Sequence, residues 1–266
     1  MKVQLGKQEM QLLAYLQIKK QRTVRTGELI GPLQLSRDQE RELFRRMARG
    51  NLIARVRPGL YLVPANLPLG GSWSPDEILA LNTLMQDQLG SYQICGPNAF
   101  NRYGYVEQVP TRVYAYNNRI SGERTIGAVS LTLIKVAAER LGAIARIQTP
   151  EGQTAIYGSR ARTLVDAVYD WSRFNSLPRA FAWIKNDLAA NRVNVTELVA
   201  LTLRYGDMGT IRRIGLLLEM SGVKKELLRK LEKALSPSSG LIPWIPVKKK
   251  RGKINRRWGV VWNEQA

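Results

Sequence analysis

Apolar residues recur at helical spacing at Leu5, Leu12, Leu13 and Leu16, which predicts a first helix from about Lys7 to Ile18. A short extended piece, Thr23-Val24-Arg25, leads into a shorter helix expected near Thr26-Gly27-Glu28-Leu29-Ile30. Gly31-Pro32 ends it, because proline lacks a backbone donor and disfavours the α region in the residue before it. Ser36 opens the next helix, and Gln39 three residues on completes a capping-box pattern. That helix is expected from Arg37 to Arg49, stopping at Gly50, a residue type suited to a left-handed cap. Two short strands, residues 52–56 and 60–63, surround a turn at Arg57-Pro58-Gly59. Helix, turn, helix and basic hairpin in this order read as a winged helix-turn-helix.

The stretch 64–71 is rich in Pro and Gly and reads as a linker, which places a domain boundary near residue 71. Ser74 as N-cap, Pro75 at the first helical position and Glu77 at the third predict a helix through about Gln88. Its apolar face is Ile78, Leu81, Leu84 and Met85. Strands are expected at residues 92–95, 111–116, 129–136, 145–148 and 153–157, with a turn at Thr149-Pro150-Glu151-Gly152. From residue 159 the pattern turns helical: 159–171, 177–191, 195–205, 210–220 and 224–235. The fold class is therefore α+β, in three parts: a winged helix-turn-helix over 1–70, an α+β domain over 71–235 with a helical C-terminal part, and a basic tail over 236–266.

The chain carries 41 Lys+Arg against 21 Asp+Glu, a formal +20 with no histidine. Residues 1–70 hold 13 basic and 5 acidic side chains and residues 236–266 hold 7 and 1, so the excess is densest at the two ends. Such a field steers a protein toward phosphate polyanions. No apolar run approaches the roughly 20 residues needed to span a bilayer, and the N-terminus lacks a signal-peptide layout. No membrane partner is expected, and a cytoplasmic location is. The single cysteine, Cys95, excludes an internal disulfide and sits in an apolar strand. Without histidine, Ser-His-Asp and Cys-His catalysis and His-based zinc sites are excluded, and no cofactor or metal is expected.

The Arg37–Arg49 helix sorts by face. Leu43, Phe44, Met47 and Ala48 fall on one side; Asp38, Arg41, Glu42, Arg45 and Arg49 fall on the other, with Arg46 at the margin. Arginine can bridge a guanine edge and glutamine an adenine edge, so Ser36, Arg37, Gln39, Arg41, Arg45, Arg46 and Arg49 are candidate DNA contacts. Arg55, Arg57 and Gly59 of the hairpin would lie beside phosphates or in the minor groove. The alternative is a solvated charged helix beside an ordinary hairpin, since small winged domains also contact proteins. In the tail, Lys248, Lys249, Lys250, Arg251, Lys253, Arg256 and Arg257 are interleaved with Trp244, Trp258 and Trp262. This reads as a second nucleic-acid contact, as a final hairpin, 247–254 with 258–262, docked on the body, or as both at once.

The segments Tyr92 to Tyr105, Glu107-Gln108-Val109-Pro110-Thr111-Arg112-Val113-Tyr114 and Arg162-Thr163-Leu164-Val165-Asp166 resemble the AbiEi family, the antitoxins of AbiE type IV toxin–antitoxin systems. The resemblance covers roughly residues 5–190. It implies an N-terminal domain that represses its own operon at upstream repeats. It also implies a C-terminal domain that counteracts a nucleotidyltransferase-like toxin, not necessarily through a stable complex. The family often has histidine or aromatic residues around Asn98 to Gly104, and this chain has no histidine. Two rival readings stand beside it. One is a plain winged-helix regulator with a ligand- or protein-sensing C-terminal domain. The other is a metal-dependent nuclease built on Glu151, Asp166 and Asp170, although two acids on one helix among arginines more often form an ion-pair face.

Overall fold

The chain begins with α1 (Lys7–Ile18), β1 (Thr23–Arg25), α2 (Arg37–Arg49), β2 (Ala54–Arg57) and β3 (Leu60–Leu62), in a computed structural model that describes residues 5–66, 72–236 and 240–264. The boundary expected near residue 71 lies outside those described residues. Leu12, Leu13 and Leu16 of α1 meet Leu43, Phe44 and Met47 of α2, all at 1% exposure or less. Each such side chain contributes about 1.5–3 kcal/mol by leaving water. Strands order as β1-β3-β2, both pairs antiparallel, with a bulge between Arg55 and Arg57.

Two local expectations in this region are corrected. Residues 26–30 form hydrogen-bonded turns, not a helix. Gly27 sits at φ +101°, and the N–H groups of Gly27 and Leu29 donate to the buried Glu40 carboxylate at 2.7 and 2.9 Å. The carboxylate takes donors that a helix would have left without partners. Gly50 has φ −80°, and the left-handed position falls one residue later, on Asn51 at φ +54°.

Next come α3 (Glu77–Asp87), β4 (Tyr92–Ile94), α4 (Gly96–Arg102), β5 (Val113–Asn117), β6 (Gly122–Ile126), β7 (Val129–Lys135), a 3-10 turn (Ala138–Arg140), β8 (Ile144–Gln148) and β9 (Thr154–Gly158). Asp76, not Ser74, caps α3, accepting from Ile78 and Leu79 N–H. Ser74 Oγ instead accepts from Ala128 N–H at 2.9 Å. The six strands order as β6-β7-β5-β4-β9-β8, with β5–β7 and β4–β9 parallel and β6–β7 antiparallel.

The helical part holds α5 (Arg160–Tyr169), α6 (Trp171–Phe174), α7 (Arg179–Ala189), α8 (Val195–Tyr205), α9 (Met208–Met220) and α10 (Lys225–Lys233). The expected 159–171 helix is interrupted at Asp170, where α6 starts. The fold is α+β, as the pattern predicts, and no helix among the described residues is long and apolar enough to cross a membrane.

The last segment is not a free tail. It forms β10 (Ile242–Pro243), β11 (Lys253–Asn255) and β12 (Val260–Trp262), with β12 central, parallel to β10 and antiparallel to β11. Trp244 stacks on Phe181 of α7 with ring centroids 3.8 Å apart, and Trp258 is fully buried. Both rings belong to the core built by α5, α7, α8, α9 and α10. The docked hairpin holds, in a shorter form than the pattern suggests.

Two compact units result. The first contains residues up to Tyr92, Thr111–Val136 and Gln148–Ala155; the second contains Gln93–Pro110, Ala137–Ile147 and everything from Ile156. The N-terminal module, α3 and β5 to β7 thus belong to one unit.

Gly215 of α9 shows how tightly the last segment is seated. A Cβ there would lie 2.2 to 2.5 Å from the Trp258 ring. Gly215→Ala should therefore destabilise the protein by about 1–3 kcal/mol through overpacking. Urea unfolding followed by tryptophan fluorescence measures this, and a variant as stable as the parent would show that the ring can move aside.

Candidate nucleic-acid interface

The α2 outer face is built on a completed capping box. Ser36 N–H donates to Gln39 Oε1 at 2.8 Å, and Gln39 N–H donates to Ser36 Oγ at 3.2 Å. The Gln39 side chain thus lies at the capped end of α2, its carbonyl oxygen accepting from the Ser36 N–H and its amide group bearing the donors that an adenine edge would need. From the capped end, Arg37, Arg41, Arg45 and Arg49 follow one another at four-residue steps, all exposed. Arg45 is held by Glu42 through two bonds of 2.9 Å, and Arg41 lies 3.7 Å from Asp38. The Arg45 hydrogen bond lowers the Glu42 carboxyl below its ordinary value, and Glu42 raises Arg45 in turn. These exposed pairs orient the side chains and add little stability.

Arg46 has a different role. Its Nε donates to Glu9 of α1 at 2.6 Å, and Glu9 is nearly buried, so Arg46 ties α2 to α1. Arg55 is exposed on the hairpin, and Gly59 makes the turn at φ +81°. Arg57 is not a free tip residue. Its Nε and Nη2 donate to the two oxygens of Asp87 on α3 at 2.5 and 2.8 Å, and Arg25 of β1 donates to the same carboxylate at 3.0 Å. The Arg57 bond, helped by Arg25, holds the Asp87 carboxyl down at about 2.

Neither Glu40 nor Asp87 was among the expected site residues. Glu40 shares the 40, 43, 44, 47 spacing of the buried face, which marks it as inward-pointing. Asp87 ends a helix, where the dipole disfavours an anion, and that mismatch signals an outside cation.

At the other end of the chain, Lys248, Lys249, Lys250, Arg251, Lys253 and Arg256 are exposed. Arg257 instead bridges Glu219 of α9 and Glu232 of α10. Trp244 and Trp258 are buried and offer no ring to a base.

The motifs behind the family resemblance have structural roles. Arg162 is completely buried, donates to Asp166 at 2.9 Å and lies 3.7 Å from the Tyr205 ring centroid. Arg140 takes the other Asp166 oxygen at 2.8 Å. Burial pushes the Asp166 carboxyl up, against the pull of these two guanidinium groups. Asp170 binds Arg173 at 3.0 Å, and Glu151 is exposed in its turn. Among the described residues, no group of three or more His, Cys, Asp or Glu side chains is placed to hold a metal ion. Ahead of β5, Asn101 Nδ2 donates to the carbonyls of Val106, Glu107 and Gln108 and so fixes that loop.

The chain matches no family model and none of the curated proteins. Among solved structures it resembles the RV2827C protein of Mycobacterium tuberculosis, at a TM-score of 0.59 and 16% identity. The match covers 97% of this chain and 92% of that one, and it extends to the fold.

Asp87→Asn tests the clamp. A carboxyl held at about 2 instead of 3.8 contributes stability that is complete above about pH 4 and is lost as the pH falls toward 2. The loss at neutral pH should be on the order of 2 kcal/mol. Urea unfolding at pH 7 should separate variant from parent by that amount, and the gap should close at low pH. A gap unchanged between pH 7 and pH 2 would remove the electrostatic account.

Proposed function

We propose that this chain is a DNA-binding antitoxin that works in the cytoplasm. In this reading α1 to β3 form a winged helix-turn-helix that represses the chain's own operon at upstream repeats. The remaining α+β part opposes a nucleotidyltransferase-like toxin, with no stable complex required. No catalytic step, metal or cofactor is assigned to the chain.

One observation carries the DNA half: four exposed arginines run along α2 from its capped end, beside a three-stranded sheet with a basic hairpin. A helix of this kind presents guanidinium groups to base edges in a major groove about 12 Å wide. The toxin half rests on the segments 92–114 and 162–166 that resemble AbiEi antitoxins.

A plain regulator is the second reading. It is favoured by a cavity of about 630 Å³ lined by Leu188 of α7, Val193 of the α7–α8 loop, Val195 of α8 and Met220 of α9, among others.

The DNA half is tested by binding of the full chain to its own upstream region and to random duplex. Arg41→Ala or Arg45→Ala should cost roughly 1–3 kcal/mol on the operator and much less on random DNA. Equal losses on both would sink direct readout by α2. For the toxin half, the Arg41→Ala protein should still rescue growth when the neighbouring toxin gene is induced, while a promoter reporter is released from repression. Absence of rescue by the parent chain would favour the plain regulator.

A further inference from the structure

The second unit carries a basic surface of its own. Residues 224–264 hold 12 Lys+Arg and 3 Asp+Glu. Leu228 and Leu231 anchor α10 in the core, which turns Lys225, Arg229 and Lys233 outward at four-residue steps, with Lys230 beside them. Neighbours at that spacing lie about 5–6 Å apart.

Next to this stripe sits the β11–β12 turn, and Arg257 fixes the two together. Its guanidinium binds Glu232 of α10 at 3.0 Å and Glu219 of α9 at 2.5 Å. Glu219 also accepts from Trp258 Nε1 at 2.8 Å and from Asn255. Two acidic groups of this face are thereby tied to one arginine, and Arg256 is left exposed beside them. The 248–251 loop is pinned by its backbone, because the buried Asn263 side chain donates to Lys249 O at 3.0 Å and to Lys248 O. Among the described residues, Lys225, Arg229, Lys230, Lys233, Lys250 and Arg256 form no ion pair.

We propose that the outer face of α10 and the 248–256 segment form one phosphate-binding surface for duplex DNA, distinct from the reading face of α2. The inference deepens the DNA-binding reading and rests on it. Unpaired cations on a fixed framework complement a polyanion and contact its backbone without reading sequence. The buried Trp244 and Trp258 rule out base stacking by those rings, which favours duplex over single strands. Exposed apolar side chains here are Val247 and Ile254, too few for the broad apolar face of a membrane-surface helix.

The test uses the full chain and random-sequence duplex DNA over a salt series. Two triple variants are compared with the parent: Lys225→Gln/Arg229→Gln/Lys233→Gln and Lys249→Gln/Lys250→Gln/Arg251→Gln. A third, Lys135→Gln/Arg146→Gln/Lys185→Gln, loses equal charge elsewhere. Each phosphate contact contributes about 0.9 to the log–log slope, so each surface triple should lower it by up to about 2.7 while the control leaves it in place. All substituted side chains are exposed, and circular dichroism checks that the variants fold. An unchanged slope in both surface triples, or an equal fall in the control, overturns the proposal. So does a loss confined to poly(U) or to phosphatidylserine vesicles with duplex binding intact. The operator-to-random ratio is read in the same proteins and reports on α2. A preserved ratio with an unchanged slope removes this surface and leaves the α2 reading standing.

Discussion

Carboxylates are scarce in this chain, and where they sit governs much else. Glu9, Glu40, Asp166 and Asp187 are each less than a tenth exposed, and the Asp87 side chain is similarly covered. Each binds guanidinium groups or backbone N–H groups. A buried carboxylate without such partners would be costly, and a buried guanidinium without an anion equally so. The two kinds of group therefore enter the interior together. What remains on the surface is an excess of positive charge, concentrated on α2 in the first unit and on α10 and its neighbouring hairpin in the second.

The second unit solves a related problem with carbonyls. Arg213 of α9 is buried and donates to the backbone oxygens of Trp244 and Pro243, while Arg212 donates to Gly240 O. Burial lowers the Arg213 pKa to about 10, which still leaves it cationic at neutral pH. The C-terminal sheet is held by these bonds and by the Trp244 and Trp258 rings, so its lysines are displayed on a packed element.

Much of this architecture was legible because strong periodicity survives tertiary packing. The bounds of α1, α2 and α8 follow directly from their apolar spacing, helped in α2 by the Ser36 cap. What escaped was set by contacts distant in sequence. Residues 26–30 have helix-compatible composition, but Glu40 captures their N–H groups and holds them as turns. Strand β6, Gly-Glu-Arg-Thr-Ile, is exposed at four of its five positions and has no apolar alternation to announce it. At the candidate interface, the exposed arginines of α2 were readable from helix geometry. The fixed state of Arg57 was not, because it depends on Asp87, a partner thirty residues away that only the fold reveals.

The Asp87 clamp bears on how separable the N-terminal module is. Pro and Gly content invites a cut near residue 71, yet the anion that neutralises Arg25 and Arg57 lies beyond it, on α3. A module excised at the linker would carry two guanidinium groups released from their anchor, on the strands that flank its hairpin. Grafted onto another protein, it would be a more cationic and less rigid object than the same residues in their own chain, so the unit that can be transplanted intact is longer than the motif.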